Sequence, residues 1–202
     1  MAREVSSGVQ TSAAGDVLVD AAAALAALAE GPEGAAVGAA GEALGGVLGS
    51  GGTAFFCGNG GSAAEASHLA AELTGRLVAE RRPLAGVSLS ADLAAVTAIA
   101  NDYGTESMFA RQLAGLARPG DALVVLSTSG TSPNVVAAVH TATELGLLTI
   151  GLLGGSRVPL DDVLDHALHA PGATSGIVQV GHLALGHALL AAAESTALGP
   201  AS

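Results

Sequence analysis

The sequence contains no lysine, no tryptophan and a single cysteine, and only 2% of its residues are aromatic. All seven positively charged residues are arginine. Without lysine, a Walker A phosphate site and Schiff-base chemistry are excluded. A single cysteine cannot form an internal disulfide. Cys57, at the end of an apolar run, is therefore interpreted as a small buried hydrophobic residue.

Positive charge is scarce overall, and the formal net charge is -11. This balance, with no basic run and no aromatic platform, argues against nucleic acid as a main partner. The first sixteen residues lack the apolar core of a secretion signal. Gly, Glu and Asp interrupt every apolar stretch, so no membrane span is expected. The sequence therefore predicts a cytoplasmic protein with neither a membrane nor a nucleic-acid partner.

Half of the residues are hydrophobic, which is enough for the core of one domain. We expect a flexible polar N-terminus over residues 1–15 and a single domain over residues 16–197. Two alanine-rich helices, 17–28 and 35–48, form a hairpin around the Gly-Pro-Glu-Gly turn. Ala, Val and Leu bury less area per residue than aromatics, which favours subunit association as a further source of stability.

The stretch 53–76, TAFFCGNGGSAAEASHLAAELTGR, predicts a buried strand, a glycine-rich turn and a helix. Unpaired N–H groups and the helix dipole make such a turn an anion site. The same helix carries His68 and Glu72, four residues apart and so on one face. A phosphate site beside an acid–base pair is the functional interpretation.

Two other interpretations of this stretch stay open at this point. His68, Glu72 and Arg76 also fit a solvated stripe with an ordinary Glu–Arg pair. The spacing Gly58-x-Gly60-x-x-Ala63 also fits the dinucleotide-binding fingerprint, which is weak evidence by itself.

A second polar turn follows the apolar run 122–126 and reads Ser-Thr-Ser-Gly-Thr-Ser-Pro-Asn over residues 127–134. Ser132 is well placed as a helix N-cap, with Pro133 at the first helical position. The turn is a second candidate phosphate site, now with several hydroxyl side chains. A polar loop without function is the alternative.

Strands and helices alternate through the main body, which predicts a parallel sheet covered on both faces. The expected strands are 53–57, 84–89, 122–126, 147–153 and 166–170. The expected later helices are 92–100, 107–116, 134–145, a short one near 160–164, and 175–194, with a polar turn at 101–104. Ligands bind at the carboxyl ends of such strands, so the two polar turns are predicted neighbours. On the last helix, Gln179 and His187 share one face and His182 lies on the other side of Gln179.

Four motifs, CGNGGSAAEASHLAAELTGR, AIANDYG, RPGDALVVLSTSGTSPNV and QVGHLALGH, resemble those of the phosphoheptose isomerases, which have the sugar isomerase (SIS) fold. The resemblance covers about residues 17–195. It implies an α/β fold: a five-stranded parallel sheet flanked by helices in a flavodoxin-like three-layer sandwich, with an N-terminal helical hairpin. It also implies a homotetramer with active sites at subunit interfaces. The implied reaction converts sedoheptulose 7-phosphate to D-glycero-D-manno-heptose 7-phosphate.

The resemblance also implies residue roles. Glu72 is the implied catalytic base, and His187 is its acid partner. The implied phosphate cradle is Ser127, Thr128, Ser129 and Ser132. The other implied substrate contacts are Asn59, Gly60, Gly61, Glu72, Asn101, Asp102 and Gln179. The implied ligands of one zinc ion per subunit are His68, Glu72, Gln179 and His187.

These residue types suit the implied chemistry. A ketose–aldose shift moves a proton between C1 and C2 through an enediol, and one carboxylate can carry it while a histidine serves the oxygens. One departure concerns residues 175–180, SGIVQV, where the family's charges around the glutamine are missing. The exact sugar, the pathway and the native metal therefore stay open. His140, His166 and His169 match no motif and are interpreted as structural or surface residues.

Three alternatives to an isomerase are considered. Non-catalytic SIS proteins include scaffolds that bind a replication initiator. A sugar-phosphate sensor would keep the serine turn without turnover. Both Glu72 and His187 are present, which favours an enzyme. In a nicotinamide dehydrogenase Asp92 would bind the ribose, but the hydroxyl-rich turn has no use there.

Overall fold

The computed structural model describes residues 13–78 and 80–199. Two helices, α1 (Ala13–Glu30) and α2 (Glu33–Gly49), open the described chain as the expected hairpin. Helix α1 begins inside the segment predicted to be flexible, and residues 1–12 of that segment lie outside the described residues.

Five strands form one sheet in the order β2-β1-β3-β4-β5, and every neighbouring pair is parallel. The strands are β1 (Ala54–Gly58), β2 (Gly86–Ser88), β3 (Ala122–Ser127), β4 (Leu148–Gly154) and β5 (His166–Ala170). The residues of β1 and β3 are all buried, as expected of central strands covered on both faces. The predicted five-stranded parallel α/β sheet is confirmed. Only β2 is much shorter than the six residues expected, because three residues alone pair with β1.

Five more helices connect and cover the strands. They are α3 (Gly61–Thr74), α4 (Leu93–Tyr103), α5 (Ala110–Leu116), α6 (Pro133–Glu144) and α7 (Ser175–Leu198). The predicted helix 107–116 is wrong at its start, because a 3₁₀ turn at Thr105–Ser107 precedes α5. The predicted polar turn at 101–104 is also wrong. Its first three residues complete α4, and Gly104, with φ +88°, follows the helix. The short helix expected near 160–164 is a 3₁₀ turn at Pro159–Asp162.

The sheet separates two apolar cores. Helices α2, α3 and α7 cover one face, and α5 and α6 cover the other. Helices α2 and α7 approach closely at Gly41, where a Cβ would lie 2.5 Å from the Ala192 Cβ and 2.8 Å from the Leu189 carbonyl oxygen. This contact explains why a glycine-rich sequence forms a stable helix here.

Helix α7 is long and apolar enough to cross a membrane by length and composition alone, contrary to the expectation that every apolar stretch is too interrupted. Half of its apolar window is buried inside the fold. The core helix of a globular domain has the same properties, so α7 is weak evidence for a membrane span.

Two surfaces of the described chain expose apolar side chains. In α4 none of the described residues is buried, and the Leu93 side chain is 73% exposed. Helix α1 buries Ala24 and Leu28 but exposes Leu18 on its outer side. Both helices therefore lie on the sandwich with much of their apolar surface uncovered.

Candidate active site

The carboxyl ends of β1 and β3 border a polar cavity. Gly58 pairs with Leu126 in the sheet, so the turns that follow the two strands start side by side, as predicted. The cavity measures about 220 Å³. It is lined by Asn59, Ser62, Leu126, Ser127, Thr128, Ser129, Ser132, Ser175 and Gln179. No charged side chain is among these lining residues, so hydroxyl and amide groups dominate it.

The β1–α3 turn is tied to the start of α6 by two amide side chains. Asn59 Nδ2 donates to Asn134 Oδ1 at 2.9 Å, and Asn134 Nδ2 donates to Asn59 Oδ1 at 2.8 Å. Gly60 has φ +58°, a region that favours glycine, and it directly precedes α3. Asn134 was not among the predicted site residues, because its pairing depends on a contact between segments 75 residues apart.

The β3–α6 turn presents its hydroxyl groups in an ordered loop. Ser127 Oγ accepts from the Gly130 N–H at 3.0 Å, and Ser129 Oγ accepts from the Thr131 N–H at 3.3 Å. Ser132 occupies the predicted N-cap position, and its side chain makes no capping hydrogen bond. Its hydroxyl therefore remains available for an anion. In the first turn of α6, Pro133 has no N–H, and the Val135 N–H already donates to the Ser132 carbonyl and to Asn134 Oδ1.

Helix α7 brings Gln179 against the β1–α3 turn. A Cβ on Gly61 would lie 2.4 Å from Gln179 Nε2, so any larger residue at this position would displace the Gln179 amide. The helix begins after Thr174, whose hydroxyl accepts from the Ile177 N–H at 3.4 Å. In its first turn, the Ser175 hydroxyl lies 3.5 Å from that of Thr128. Ser62 and Ser175 line the cavity although the sequence analysis did not single them out.

Three titratable side chains converge where α3 and α7 meet. The Nε2 atoms of His68 and His187 are 2.9 Å apart, and His68 Nε2 is 3.5 Å from Glu72 Oε1. The two rings meet edge to face at 70°. The His68 side chain is 44% exposed and that of Glu72 is 21% exposed. The predicted His68–Glu72 pair thus forms, and the distal His187 joins it.

This cluster has the chemistry of a metal site. One ligand atom from each of His68, Glu72 and His187 lies within 4.8 Å of the other two. Two histidine nitrogens bound to one tetrahedral zinc at about 2.0–2.1 Å would be separated by about 3.3 Å, close to the observed distance. Two imidazoles and a carboxylate are ordinary zinc ligands. The residues therefore fit a zinc ion.

Glu65 lies on the same face of α3 and was missed by the sequence analysis. Its spacing of three and seven residues from His68 and Glu72 was the available signal. Burial raises the pKa of Glu65 to about 7, although a hydrogen bond with Ser62 opposes the shift. One carboxyl oxygen, Oε2, is buried without a hydrogen-bond partner among the described residues. Helix α3 thus carries a second carboxyl group on the face of His68 and Glu72, and burial favours its neutral form.

Arg81 supports the carboxyl end of α3, where Glu72 lies. Its guanidinium donates to the backbone carbonyl of Glu72 at 2.7 Å and to that of Leu73 at 2.9 Å. It also forms a salt bridge with Glu194 of α7, and its side chain is only 5% exposed. This residue was seen in the sequence only as part of a loop.

Several predicted positions lie outside the cavity. Asn101 and Asp102 are exposed in the last turn of α4 and hydrogen-bond to each other. Neither is among the described residues that line the cavity. Asp92 caps α4, where its Oδ1 accepts from two backbone N–H groups. Because Asp92 has this role in the helix, the structure gives little support for a contact between Asp92 and a ribose.

His182 lies on α7 and is fully buried. Burial lowers the pKa of its ring, and the Leu153 backbone carbonyl partly offsets that shift by raising it.

Comparison with known proteins identifies the family. A model described as the SIS domain matches residues 17–154. The phosphoheptose isomerase of Rhodospirillum rubrum is 46% identical over 147 residues, which are 73% of this chain and 78% of that protein. A solved phosphoheptose isomerase from Francisella tularensis has a TM-score of 0.83 at 32% identity, over 89% of this chain and 95% of that one. The corresponding structure from Neisseria gonorrhoeae has a TM-score of 0.76 at 38% identity, over 89% and 94%. The chain therefore belongs to the SIS domain family and, within it, groups with the phosphoheptose isomerases.

Proposed function

We propose that this protein is an aldose–ketose isomerase that converts sedoheptulose 7-phosphate to D-glycero-D-manno-heptose 7-phosphate. The observation that carries the proposal is the placement of an acid–base cluster beside a cavity lined by hydroxyls. His68, Glu72 and His187 meet at the α3–α7 contact. The hydroxyl turn 127–132 borders the cavity at the next strand. A scaffold or a sensor would have no need of the cluster.

The hydroxyl turn is the proposed phosphate site. Ser127, Thr128, Ser129 and Ser132 line the cavity, and the N–H groups that open α6 are nearby. A phosphate held by these neutral donors is stabilised by charge-assisted hydrogen bonds and by the helix dipole. Such binding at one end of the sugar orients its reacting carbons at the other.

Glu72 is the proposed base. Its carboxylate takes the proton from C1, and the same carboxyl group returns it at C2 after the enediol forms. His187 is its acid partner, donating a proton to the C2 carbonyl oxygen as the enediol forms and taking one back from the C1 hydroxyl as that carbon becomes the carbonyl. Gln179, held over Gly61, is placed to orient the sugar. Asn59, Gly60 and Gly61 border the sugar from the β1–α3 turn.

Zinc is the proposed cofactor, held by His68, Glu72 and His187, with Gln179 as the fourth ligand. The spacing of the first three supports this assignment. When bound, zinc would polarise the carbonyl and hydroxyl oxygens of the sugar. Glutamine oxygen is a weak ligand, so the fourth position is the one most open to exchange with substrate.

The decisive experiment is incubation with sedoheptulose 7-phosphate in deuterated water, followed by NMR. Turnover should incorporate deuterium at C1 of the ketose and C2 of the aldose. Glu72→Gln keeps the size of the side chain but removes the proton acceptor, and it should slow both exchange and isomerisation by about 10²–10⁴-fold. Near-normal turnover in Glu72→Gln would refute the mechanism. Sugar-phosphate binding without any exchange in the wild-type protein would instead indicate a sensor or a scaffold.

The proposed assembly is a homotetramer in the cytoplasm. The described chain supports association by leaving apolar surface uncovered on α1 and α4. Asn101 and Asp102 lie at the end of α4, so their proposed contacts with the sugar would depend on how neighbouring subunits place that helix. Sedimentation or light scattering measures the assembly directly.

A further inference from the structure

The connection between β4 and β5 lies directly against the hydroxyl turn. A Cβ on Gly154 would lie 2.2 Å from the Thr128 carbonyl oxygen. A Cβ on Gly130 would lie 2.5 Å from Cγ2 of Val158. Neither glycine leaves room for a side chain, so the backbone at Gly154 and the side chain of Val158 pack directly on the turn proposed to bind phosphate.

One pair of side chains holds both of these supporting residues. His169 Nδ1 lies 2.6 Å from the Gly154 carbonyl oxygen, and His169 Nε2 lies 2.6 Å from Asp161 Oδ1. The other oxygen, Asp161 Oδ2, accepts from the Val158 N–H at 2.6 Å. The side chains of His169 and Asp161 are 22% and 9% exposed, so water competes little for these bonds.

Both ring nitrogens of His169 face hydrogen-bond acceptors. The Gly154 carbonyl can only accept, and the ionised Asp161 carboxylate can only accept. The ring therefore links the end of β4 to the turn before β5, with one contact from each nitrogen.

The surroundings of the pair agree with a charged Asp161. Burial raises the pKa of this carboxyl, but the Val158 N–H, the hydrogen bond and charge of His169, and the charge of Arg157 outweigh it and hold the pKa below its usual range. Arg157 is itself paired with Asp162 on the surface. These are the charged groups recorded around Asp161 in the described chain.

We infer that His169 and Asp161 are positioning residues for the phosphate-binding half of the active site. The ring of His169 fixes the end of β4 at Gly154, and the carboxylate of Asp161 fixes Val158. Through these two residues the pair sets the positions of Thr128 and Gly130. The inference rests on the proposed function, since it assigns the support of that same phosphate site. His169 therefore acts on the reaction without touching the reacting atoms.

Three variants test the inference on the full-length, zinc-loaded protein. Asp161→Asn removes the charge but keeps an oxygen for the Val158 N–H. His169→Gln has one amide group in place of the two ring nitrogens that contact Gly154 and Asp161. Asp162→Asn is the matched control, because Asp162 belongs to the same turn but its side chain is 67% exposed. Calorimetry with inorganic phosphate and kinetics with sedoheptulose 7-phosphate are the two readouts.

Both test variants should bind phosphate about two- to tenfold more weakly, the effect of about one lost hydrogen bond. KM should rise by a similar factor while kcat changes less, because Glu72 and His187 lie on other elements. Asp162→Asn should match the wild type in both constants. Loss of kcat with unchanged phosphate affinity would contradict a positioning role in phosphate binding.

Backbone NMR separates positioning from a general loss of stability. In folded His169→Gln and Asp161→Asn, the amide signals of Thr128 and Gly130 should shift from their wild-type positions, and in Asp162→Asn they should not. If His169→Gln fails to fold, shifted Thr128 and Gly130 signals with weaker phosphate binding in Asp161→Asn support the inference, and wild-type signals and affinity there overturn it.

The outcomes distinguish this inference from the proposed function. Normal turnover by the wild type, with wild-type phosphate affinity and wild-type Thr128 and Gly130 signals in both test variants, overturns the inference alone. A wild-type protein that binds neither phosphate nor sedoheptulose 7-phosphate overturns both.

Discussion

Two carboxyl groups on one face of α3 have different surroundings. Glu72 lies 3.5 Å from His68, within a cluster open to solvent. Glu65 has an oxygen buried without a hydrogen-bond partner among the described residues, and burial raises its pKa to about 7. Burial thus favours the neutral form of the Glu65 carboxyl group.

The free energy of unfolding of the metal-free protein should therefore depend on pH through Glu65. An unperturbed glutamate ionises near pH 4.5, whereas folded Glu65 ionises near pH 7. Between these values the unfolded chain loses its proton first, so the free energy of unfolding falls as pH rises. Below pH 4.5 this decrease in the free energy of unfolding is absent, and above pH 7 it has reached its full size. Denaturant titrations of wild type and Glu65→Gln from pH 4 to pH 8 measure it.

The variant should gain stability over the wild type progressively as pH rises through this window. Glu144→Gln, which alters an exposed glutamate on α6, is the control and should show no such trend. A difference between wild type and Glu65→Gln that is constant across the series would contradict the assignment.

At the scale of elements, the carboxyl end of α3 is stabilised from outside the helix. A helix leaves its last carbonyl groups without internal partners, and a cation there interacts favourably with the dipole. Arg81 supplies the partner for Glu72, Leu73 and Gly75 at once, and Glu194 neutralises it. The backbone that carries the proposed base is thus held by a buried ion pair to α7.

Removing Arg81 should be costly. Arg81→Ala leaves Glu194 buried without its partner and removes hydrogen bonds to four carbonyl groups, and it should lower the free energy of unfolding by about 3–5 kcal/mol. Arg82→Ala, at the exposed neighbouring position, should change it by less than about 0.5 kcal/mol. Equal and small effects of the two substitutions, measured by denaturant unfolding, would show that the ion pair contributes nothing.

The elements that were predicted from the sequence are those with strong local signals. The β5 strand matches its prediction, and the Ser132–Pro133 start of α6 follows from cap chemistry. The predicted strand 84–89 was too long. Leu84 and Leu89 are buried as the apolar pattern indicated, but they lie outside the residues of β2 that pair with β1. Helix α4 continues through Asn101 and Asp102 to the glycine that ends it, although both residues favour turns.

The site was predictable to the extent that it depends on spacing within one element. The four-residue spacing of His68 and Glu72 placed both on one face of α3. Contacts between distant segments carry no such signal. The Asn59–Asn134 pair and the Arg81–Glu194 bridge join residues 75 and 113 positions apart. His169 was interpreted as structural or surface, because the carboxylate beside it becomes visible only when the turn after β4 is folded.

At the scale of the whole molecule, the apolar surface that the described chain leaves uncovered supports the proposed homotetramer. Helix α4 has apolar residues along most of its length, none of its described residues is buried, and it packs mainly on the turn at Thr105–Ser107. Folding alone does not hide this surface from water, and association would. A core of small residues buries modest area within each subunit, which adds to the benefit of assembly.

Leu93 tests this conclusion, since its side chain is 73% exposed at the start of α4. In a tetramer that covers α4, Leu93→Glu would bury an unpaired charge, at a cost of about 3 kcal/mol or more per contact. Dissociation should then occur at a concentration about a hundredfold higher or more. Leu116→Glu, at the 54% exposed end of α5, is the control for a charge on exposed apolar surface. Light scattering during size exclusion should show smaller species for Leu93→Glu alone.

A Leu93→Glu protein that keeps the wild-type mass at micromolar concentration would place the subunit interface elsewhere. In that case Asn101 and Asp102, at the other end of the same helix, would lose their proposed route to a neighbouring active site.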